Sequence, residues 1–220
     1  MAKQLSECLQ QYHLPKFENE WGNIRRGIEK ESLRVSPNGN ISSSPHPIAL
    51  GSALTNPYIT TDFSEALLEL ITPVSDTIHE CLQVLENIHR FTVQNIDDKE
   101  MLWVTSMPCP LEDDAKIPIA QYGSSNIGKL KTLYRHGLHN RYGSLMQAIA
   151  GIHYNFSMPE AFWEGYKNIC NFDGSIQKFR TEKYLHLIRN FHRYSWLLIY
   201  LFGASPAACK CFTAGREHDL

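Results

Sequence analysis

Two glutamates stand one residue apart in "RRGIEKESLRV", residues 25–35, a stretch whose composition favours a β-strand. In a strand, residues i and i+2 share a face, so Glu29 and Glu31 would lie roughly 6.5–7 Å apart on the side of Leu33. Two carboxylates on an inward face need compensation. A divalent cation such as Mg²⁺ or Mn²⁺ provides it, because these ions prefer oxygen ligands.

The same spacing also allows a solvated pair. At an exposed strand end, Arg25 or Arg26 would neutralise the two carboxylates without a metal. The inward interpretation is favoured by the polar character of the opposite face, which comprises Ile28, Lys30, Ser32 and Arg34. The spacing alone leaves both interpretations open.

A third acid is embedded in "ITTDFSEALLELITP", residues 59–73. If this stretch is a strand, Glu69 lies between Leu68 and Leu70 and is either a ligand or a paired structural charge. If it is a helix, Glu65 and Glu69 are four residues apart and both can be exposed, and Asp62 can serve as the N-cap. The local sequence does not separate the two.

"SLMQAIAGIHYNFSM" alternates between apolar and polar positions and predicts a strand over residues 146–158. His153 lies on its polar side with Gln147 and Asn155, which makes it a candidate ligand, although a lone histidine is more often structural. Gly151 in a strand interior indicates close approach of a ligand or of another backbone.

The segment from Ala115 to Pro159 contains no Asp or Glu, and its basic residues are Lys116, Lys129, Lys131, Arg135 and Arg141. Such a segment can receive an anion, for example a phosphate or a carboxylate. The glycine-rich phosphate-binding motifs are absent from the sequence. We therefore expect any nucleotide to be held by metal and arginines.

The composition of the chain limits the classes of protein to which it can belong. The chain has 220 residues, of which 43% are hydrophobic, and a net charge of −2, which is typical of a globular protein and argues against a nucleic-acid binder. Six cysteines without a C-x-x-C pair indicate a reducing, cytoplasmic location. The longest apolar run, "WLLIYLF", is too short to span a membrane, so no membrane partner is expected.

The predicted elements mix strands and helices without a regular βαβ alternation, which favours an α+β fold with an antiparallel sheet. The N-cap of the first long helix is predicted at Ser75 or Asp76, and that of the last at Thr181. The predicted strands are 24–35, 65–72 and 146–158, and the predicted helices are 3–12, 75–96, 127–143 and 181–203, the last stopped by Gly203 and Pro206.

Four stretches together resemble glutamate–cysteine ligase of the gamma-proteobacterial type, from about residue 20 to the C-terminus. They are "RRGIEKESLRV", "GSALTNPYITTDFSEALLELITPV", "QYGSSNIGKLKTLYRHGLHNRYGSLMQAIAGIHYNFS" and "YLFGASPA". The resemblance implies an ATP-dependent ligase that joins L-glutamate to L-cysteine through a γ-glutamyl phosphate, the first step of glutathione biosynthesis. It also implies a curved antiparallel sheet like that of glutamine synthetase, with metals and substrates on the concave face and helices outside.

The resemblance also implies roles for individual residues. Glu29, Glu31 and His153 correspond to ligands of Mg²⁺ or Mn²⁺, and Glu69 to an acid near the metals and the incoming cysteine. Arg135 is expected beside the reacting groups. The substrate pocket would involve Asp62, Phe63, Glu69, Tyr134, Leu138 and Gln147.

Members of this family continue well beyond "CFTAGREHDL", and their remaining part supplies an acidic metal ligand, an arginine, tyrosines and further strands. We therefore expect residues 1–220 to be a single N-terminal portion of the catalytic domain, with an incomplete sheet, an exposed sheet edge and apolar surface where the other part packs. The alternative function is a non-catalytic fragment that binds metal or a small ligand, or a subunit that complements a partner chain.

Overall fold

The computed structural model describes residues 22–111 and 117–203, together with residues 7, 10 and 212. Contacts group these residues into two compact units, one containing residues 26–155 and the other containing residues 156–203. The expectation of one domain over residues 1–220 stays a prediction.

The unit of residues 26–155 is built on an open sheet. Its strands are β1 (Arg25–Val35), β2 (Ile59–Thr61), β3 (Leu67–Ile71), β4 (Met101–Leu102) and β5 (Ile152–Ser157). The order is β2-β3-β1-β4, and β5 also pairs with β1. The β1–β3, β1–β4 and β2–β3 pairs are antiparallel, which together with the helices confirms the predicted α+β class.

Strand β1 has apolar packing on the face that carries Leu33 and Val35, both almost fully buried. That face contributes to a core cluster with Phe63, Leu67 and Ala148. A second cluster covers the other face of β3 and includes Leu50, Ile59, Leu68, Leu70, Ile88 and Ile96. The sheet is therefore buried on both sides around its centre.

The opposite face of β1 is not the solvated surface that its polar residues suggested. Ser32 and Arg34 are both fully buried there. The guanidinium of Arg34 donates from Nη1 to both carboxylate oxygens of Glu100 at 3.0 and 2.8 Å, and from Nη2 to the carbonyls of Ser44 and Glu65. A buried arginine is tolerated because its charge is paired and hydrogen-bonded.

Two α-helices belong to the same unit. Helix α1 (Ile78–Asn95) supplies Ile88 to the second core cluster, so it lies against the sheet face opposite Leu33. Its N-cap is Thr77, whose side chain accepts from the amide of Glu80, and not Ser75 or Asp76 as predicted. Helix α2 (Asn126–Tyr142) follows an N-cap at Ser125 and ends at Gly143, which confirms the predicted helix.

The predicted strand over residues 146–158 is wrong in its first part. Met146–Ala148 form a 3₁₀ turn, and only Ile152–Ser157 form β5. The alternation arises because Ala148 and Ala150 are both buried in the core cluster. The other apolar residues of the alternating set, Met146, Ile152, Tyr154 and Phe156, are exposed, so the pattern does not correspond to one continuous buried face.

The unit of residues 156–203 contains helices α3 (Glu160–Ile169) and α4 (Ile176–Phe202). Their shared core comprises Phe162, Trp163 and Phe179. Helix α4 begins after an N-cap at Ser175, so the cap predicted at Thr181 is wrong; the Thr181 hydroxyl donates to the carbonyl of Gln177 inside the helix.

Two sequence predictions lie partly or wholly outside the described residues, namely the helix over residues 3–12 and the stop at Pro206. Helix α4 does end at Gly203 as predicted. In the part of the chain that the structure describes, no helix is both long and apolar enough to cross a bilayer.

Replacing Arg34 by Met leaves the Glu100 carboxylate buried without its cation. We expect the free energy of unfolding to fall by about 3 kcal/mol or more, measured by urea denaturation and circular dichroism. The matched control is Arg90→Met, which removes an exposed ion pair with Glu86 on α1 and should cost less than about 1 kcal/mol. Equal losses in the two variants would contradict a stabilising role for the buried pair.

Candidate functional site

The strand register brings three glutamates to one face of the sheet. Glu31 on β1 lies directly opposite Glu69 on β3, and Glu29 lies opposite Ile71. Residues that oppose each other in adjacent strands point to the same side, as do residues two apart in one strand. The strand interpretation of residues 67–71 is therefore confirmed, and it places Glu29, Glu31 and Glu69 on the side of Leu33 and Leu67.

The segment before β5 fixes Glu31 through its backbone. The amide of Gly151 donates to Glu31 Oε2 at 2.7 Å, and the amide of Glu31 donates to the carbonyl of Gly151 at 3.0 Å. Glu31 is 8% exposed, and the hydrogen bond from Gly151 holds its carboxylate in place. The close approach that a glycine at 151 predicted is present, and its partner is strand β1.

Strand β5 contributes two side chains to Glu29. The Nδ1 atom of His153 lies 3.1 Å from Glu29 Oε2, and Nδ2 of Asn155 donates to Glu29 Oε1 at 2.9 Å. Arg26, one of the cations considered for neutralising Glu29 and Glu31, instead donates to the carbonyl of Asp76. The polar side chains of β5 therefore hold Glu29 in position on the acidic face of β1.

Glu29, Glu69 and His153 can converge on one point. One ligand atom from each lies within 4.8 Å of the others. With metal–oxygen distances of about 2.1 Å, adjacent ligands of an octahedral Mg²⁺ are about 3.0 Å apart and opposite ligands about 4.2 Å apart. An inward movement of these side chains would bring them to three positions around a cation.

Burial raises the pKa values of two of these carboxyl groups. Burial, reinforced by the charges of Asp62, Glu31 and Glu29, raises the pKa of Glu69 from 4.5 to about 7. Burial also raises the pKa of Glu31, while the Gly151 hydrogen bond opposes the shift. The charges of neighbouring carboxylates add to this effect of burial in both groups. Two carboxylates and an imidazole in such a field fit a hard divalent cation.

Helix α2 is fastened to this site by Arg135. Its Nε donates to the carbonyl of Asp62, and its Nη1 donates to the carbonyl of Lys131. The guanidinium also stacks on the ring of Tyr122, 4.6 Å from its centroid. These contacts position the backbone at Asp62, whose charge acts on Glu31 and Glu69.

The other residues predicted for the substrate pocket have diverse surroundings. Phe63 is 1% exposed and belongs to the core cluster, and Leu138 packs against that cluster from α2. Tyr134, one turn before Leu138, is 62% exposed. Gln147 is half-buried in the 3₁₀ turn. The structure thus brings Glu29, Glu31, Glu69, Asp62 and His153 together, whereas Phe63 is a core residue.

Two polar contributors were not predicted from the sequence. Asn155 holds Glu29, and its position two residues after His153 in the alternating strand was the available signal. Glu65, at 8% exposure, accepts from the amides of His46 at 2.9 Å and Gln121 at 2.8 Å. It joins two loops to the start of β3, and nothing in the local sequence distinguished this role.

Comparison with known proteins gives a consistent set of relatives. Residues 9–220 match the family model described as glutamate-cysteine ligase. The chain is 59% identical over 197 residues to a glutamate–cysteine ligase of Alcanivorax borkumensis, covering 90% of this chain and 37% of the relative. It is 51% identical over 216 residues to that of Pseudoalteromonas translucida, covering 98% and 41%. The chain thus spans about two fifths of these relatives' length.

Two solved structures are similar in fold. A glutamate–cysteine ligase from Francisella tularensis, in complex with AMP, superposes with a TM-score of 0.81 at 43% identity, covering 90% of this chain and 38% of that one. A bifunctional glutathione synthetase from Pasteurella multocida superposes with a TM-score of 0.80 at 33% identity, covering 91% and 25%.

Gly151→Ala should weaken Mn²⁺ binding by the isolated chain about tenfold, measured by titration calorimetry. A Cβ atom at this position would lie 3.0 Å from His153 Nε2 and 3.6 Å from Glu31 Oε2, so the imidazole must move. The control is Gly137→Ala on α2, where a Cβ atom meets nothing within 4 Å. An unchanged Mn²⁺ affinity of the Gly151→Ala variant would contradict the role of His153 as a ligand.

Glu69→Gln should change the pH dependence of stability in metal-free chain. The pKa of Glu69 is raised on folding, so this group's contribution to stability is complete below about pH 4.5 and is lost as pH rises through 7. The variant should therefore be more stable than the parent at pH 8, on the order of 1 kcal/mol after discounting for solvent screening of a half-exposed group, and not at pH 4. Urea denaturation in EDTA measures this. The exposed control Glu164→Gln should show no such pH-dependent difference from the parent.

Proposed function

The chain belongs to the glutamate–cysteine ligase family, and on that premise we propose that the intact protein joins L-glutamate to L-cysteine with ATP, as the first step of glutathione biosynthesis. The observation that supports this proposal most directly is the cluster of Glu29, Glu69 and His153 on one sheet face. Phosphoryl transfer requires mainly positioning and neutralisation of charge, and carboxylates that hold a cation are suited to both.

The proposed chemistry has two steps. The γ-carboxylate of glutamate attacks the γ-phosphorus of ATP, which releases ADP and leaves a γ-glutamyl phosphate. The amine of cysteine then attacks the activated carbonyl carbon and expels inorganic phosphate, which forms the amide bond. A bound Mg²⁺ or Mn²⁺ would neutralise the phosphate charges in this sequence.

The acidic residues take distinct positions in this proposal. Glu29 and His153 hold the cation from β1 and β5, and Glu31 is held beside them by Gly151. Asn155 orients Glu29, as a hydrogen-bonding partner of a metal ligand does. Glu69 completes the cation site and, once ionised, can take the proton that the cysteine ammonium must lose.

The substrate wall is proposed from the family resemblance. Tyr134 and Leu138 on α2, together with Gln147 and Asp62, would line the cysteine side, and Phe63 would support this wall from the core. Arg135 fixes α2 to Asp62 and brings a positive charge to this wall, where it would act on anionic groups during the reaction. The fold similarity to two glutathione-pathway enzymes supports a sheet of the glutamine-synthetase type with substrates on its concave face.

The AMP in the Francisella tularensis ligase supports a nucleotide site in this family, and hence ATP as co-substrate. Free cysteines at positions 81, 109 and 170 support our proposal of a cytoplasmic location. Because the chain spans two fifths of its relatives, the alternative is a metal- or ligand-binding fragment that complements another polypeptide.

A chimera tests the proposal directly. In it, this chain replaces the matching portion of the Alcanivorax borkumensis relative. We expect ADP release that requires glutamate, cysteine and Mg²⁺ together. Glu29→Gln in the chimera should lower kcat/KM by about 100-fold or more, because it removes a negatively charged cation ligand.

Glu86→Gln is the matched control, since Glu86 is exposed on α1 and should not alter the rate. A folded chimera without ADP release, beside an active unaltered relative, would refute the function. A Glu29→Gln variant with unchanged rate and Mg²⁺ dependence would refute only the ligand role of Glu29.

A further inference from the structure

Helix α4 is much longer than the element that covers it. Its 27 residues extend about 40 Å, whereas the 10 residues of α3 extend about 15 Å. The α3–α4 core involves the first part of α4, through Phe179 and Tyr184 packed with Phe162 and Trp163. Beyond Tyr184, the helix continues for five turns.

This distal part of α4 is rich in exposed hydrophobic side chains. Twelve large apolar or aromatic residues between positions 185 and 202 are more than 40% exposed. They are Leu185, Leu187, Ile188, Phe191, Tyr194, Trp196, Leu197, Leu198, Ile199, Tyr200, Leu201 and Phe202. Such a concentration of exposed apolar surface marks an interaction site.

The last two turns of α4 narrow the choice of partner. Residues 196–202 are apolar without interruption, so they are hydrophobic around the whole circumference of the helix. A helix of this kind is buried on all sides in folded proteins. One helix of a second copy, packed across a symmetry axis, covers one side only. A larger polypeptide that surrounds the helix end fits this pattern better.

A cavity lies beside the same helix. It has a volume of about 390 Å³ and is lined by Trp163, Tyr184, Leu187 and other residues of this unit. Most of the lining side chains are apolar or aromatic, so the cavity can receive apolar side chains of a polypeptide that covers the helix.

We propose that the distal part of α4, residues 185–202, is the docking surface for the portion of the ligase polypeptide that lies outside the matched region in the relatives. The match covers 37% of the Alcanivorax borkumensis relative, so the larger part of that protein remains to pack on it. The proposal is the same whether that portion is continuous with this chain or is a separate polypeptide. It depends on membership of the family and not on the ligase chemistry.

The experiment mixes the full 220-residue chain with the non-matching part of the Alcanivorax borkumensis relative, produced as a separate polypeptide. We expect a one-to-one complex in sedimentation velocity, and slower amide hydrogen exchange over residues 185–202 in the complex. Ile199→Asp should weaken the association by roughly 30-fold or more, because it puts a charge into a buried apolar contact.

Ile48→Asp is the matched control, because Ile48 is 95% exposed in the other unit while Ile199 is 69% exposed. Both variants should fold, since neither side chain is in the core, and Ile48→Asp should bind like the parent. The proposal is overturned if no complex forms, if Ile199→Asp binds normally, or if protection of 185–202 instead accompanies self-association or binding to phosphatidylglycerol vesicles.

The mixture and the chimera together distinguish failure of the docking surface from failure of the proposed function. A complex that protects 185–202 but releases no ADP with glutamate, cysteine and Mg²⁺ supports the docking surface and counts against the activity. Activity in the chimera, without protection of 185–202 in the complex, supports the activity and refutes the docking surface.

Discussion

Repulsion between carboxylates is the constraint around which the sheet is organised. Glu29, Glu31 and Glu69 share one face because β1 and β3 pair in a single register. Like charges at such spacing, partly removed from water, repel more strongly than they would in solvent. A backbone amide donates to Glu31, two side chains of β5 contact Glu29, and burial together with the neighbouring charges raises the pKa of Glu69.

Strand β1 can hold these charges because its other face is fixed just as firmly. Arg34 is fully buried, and its guanidinium binds Glu100 and two loop carbonyls. Glu65 performs a similar task for the loops at His46 and Gln121. A functional site needs supports that do not move, and buried polar networks on β1 and before β3 can support the candidate site.

Much of the local structure can be predicted from the sequence, but the pairing of residues that are far apart in the chain cannot. The spacing of Glu29 and Glu31 and the alternation around His153 were readable because strand period is a local property. The pairing of Glu31 with Glu69, and of Gly151 with Glu31, joins positions far apart in the chain, and no local pattern encodes it. The pairing of Arg34 with Glu100 also joins distant positions and was not predicted. This pairing allows the polar face of β1 to be buried. The family resemblance supplied the residue roles that geometry by itself leaves open.

The 3₁₀ turn and the short segment that lead into β5 have a consequence for how this sequence can change over evolutionary time. A strand displaced by one residue turns every side chain to its other face. One residue inserted or deleted between Gly143 and Gly151 would tend to exchange His153 and Asn155 for tyrosine, isoleucine or phenylalanine at the acidic face. Substitutions in this segment therefore face a weaker constraint than changes in its length, and relatives that keep the chemistry are expected to keep the number of residues here.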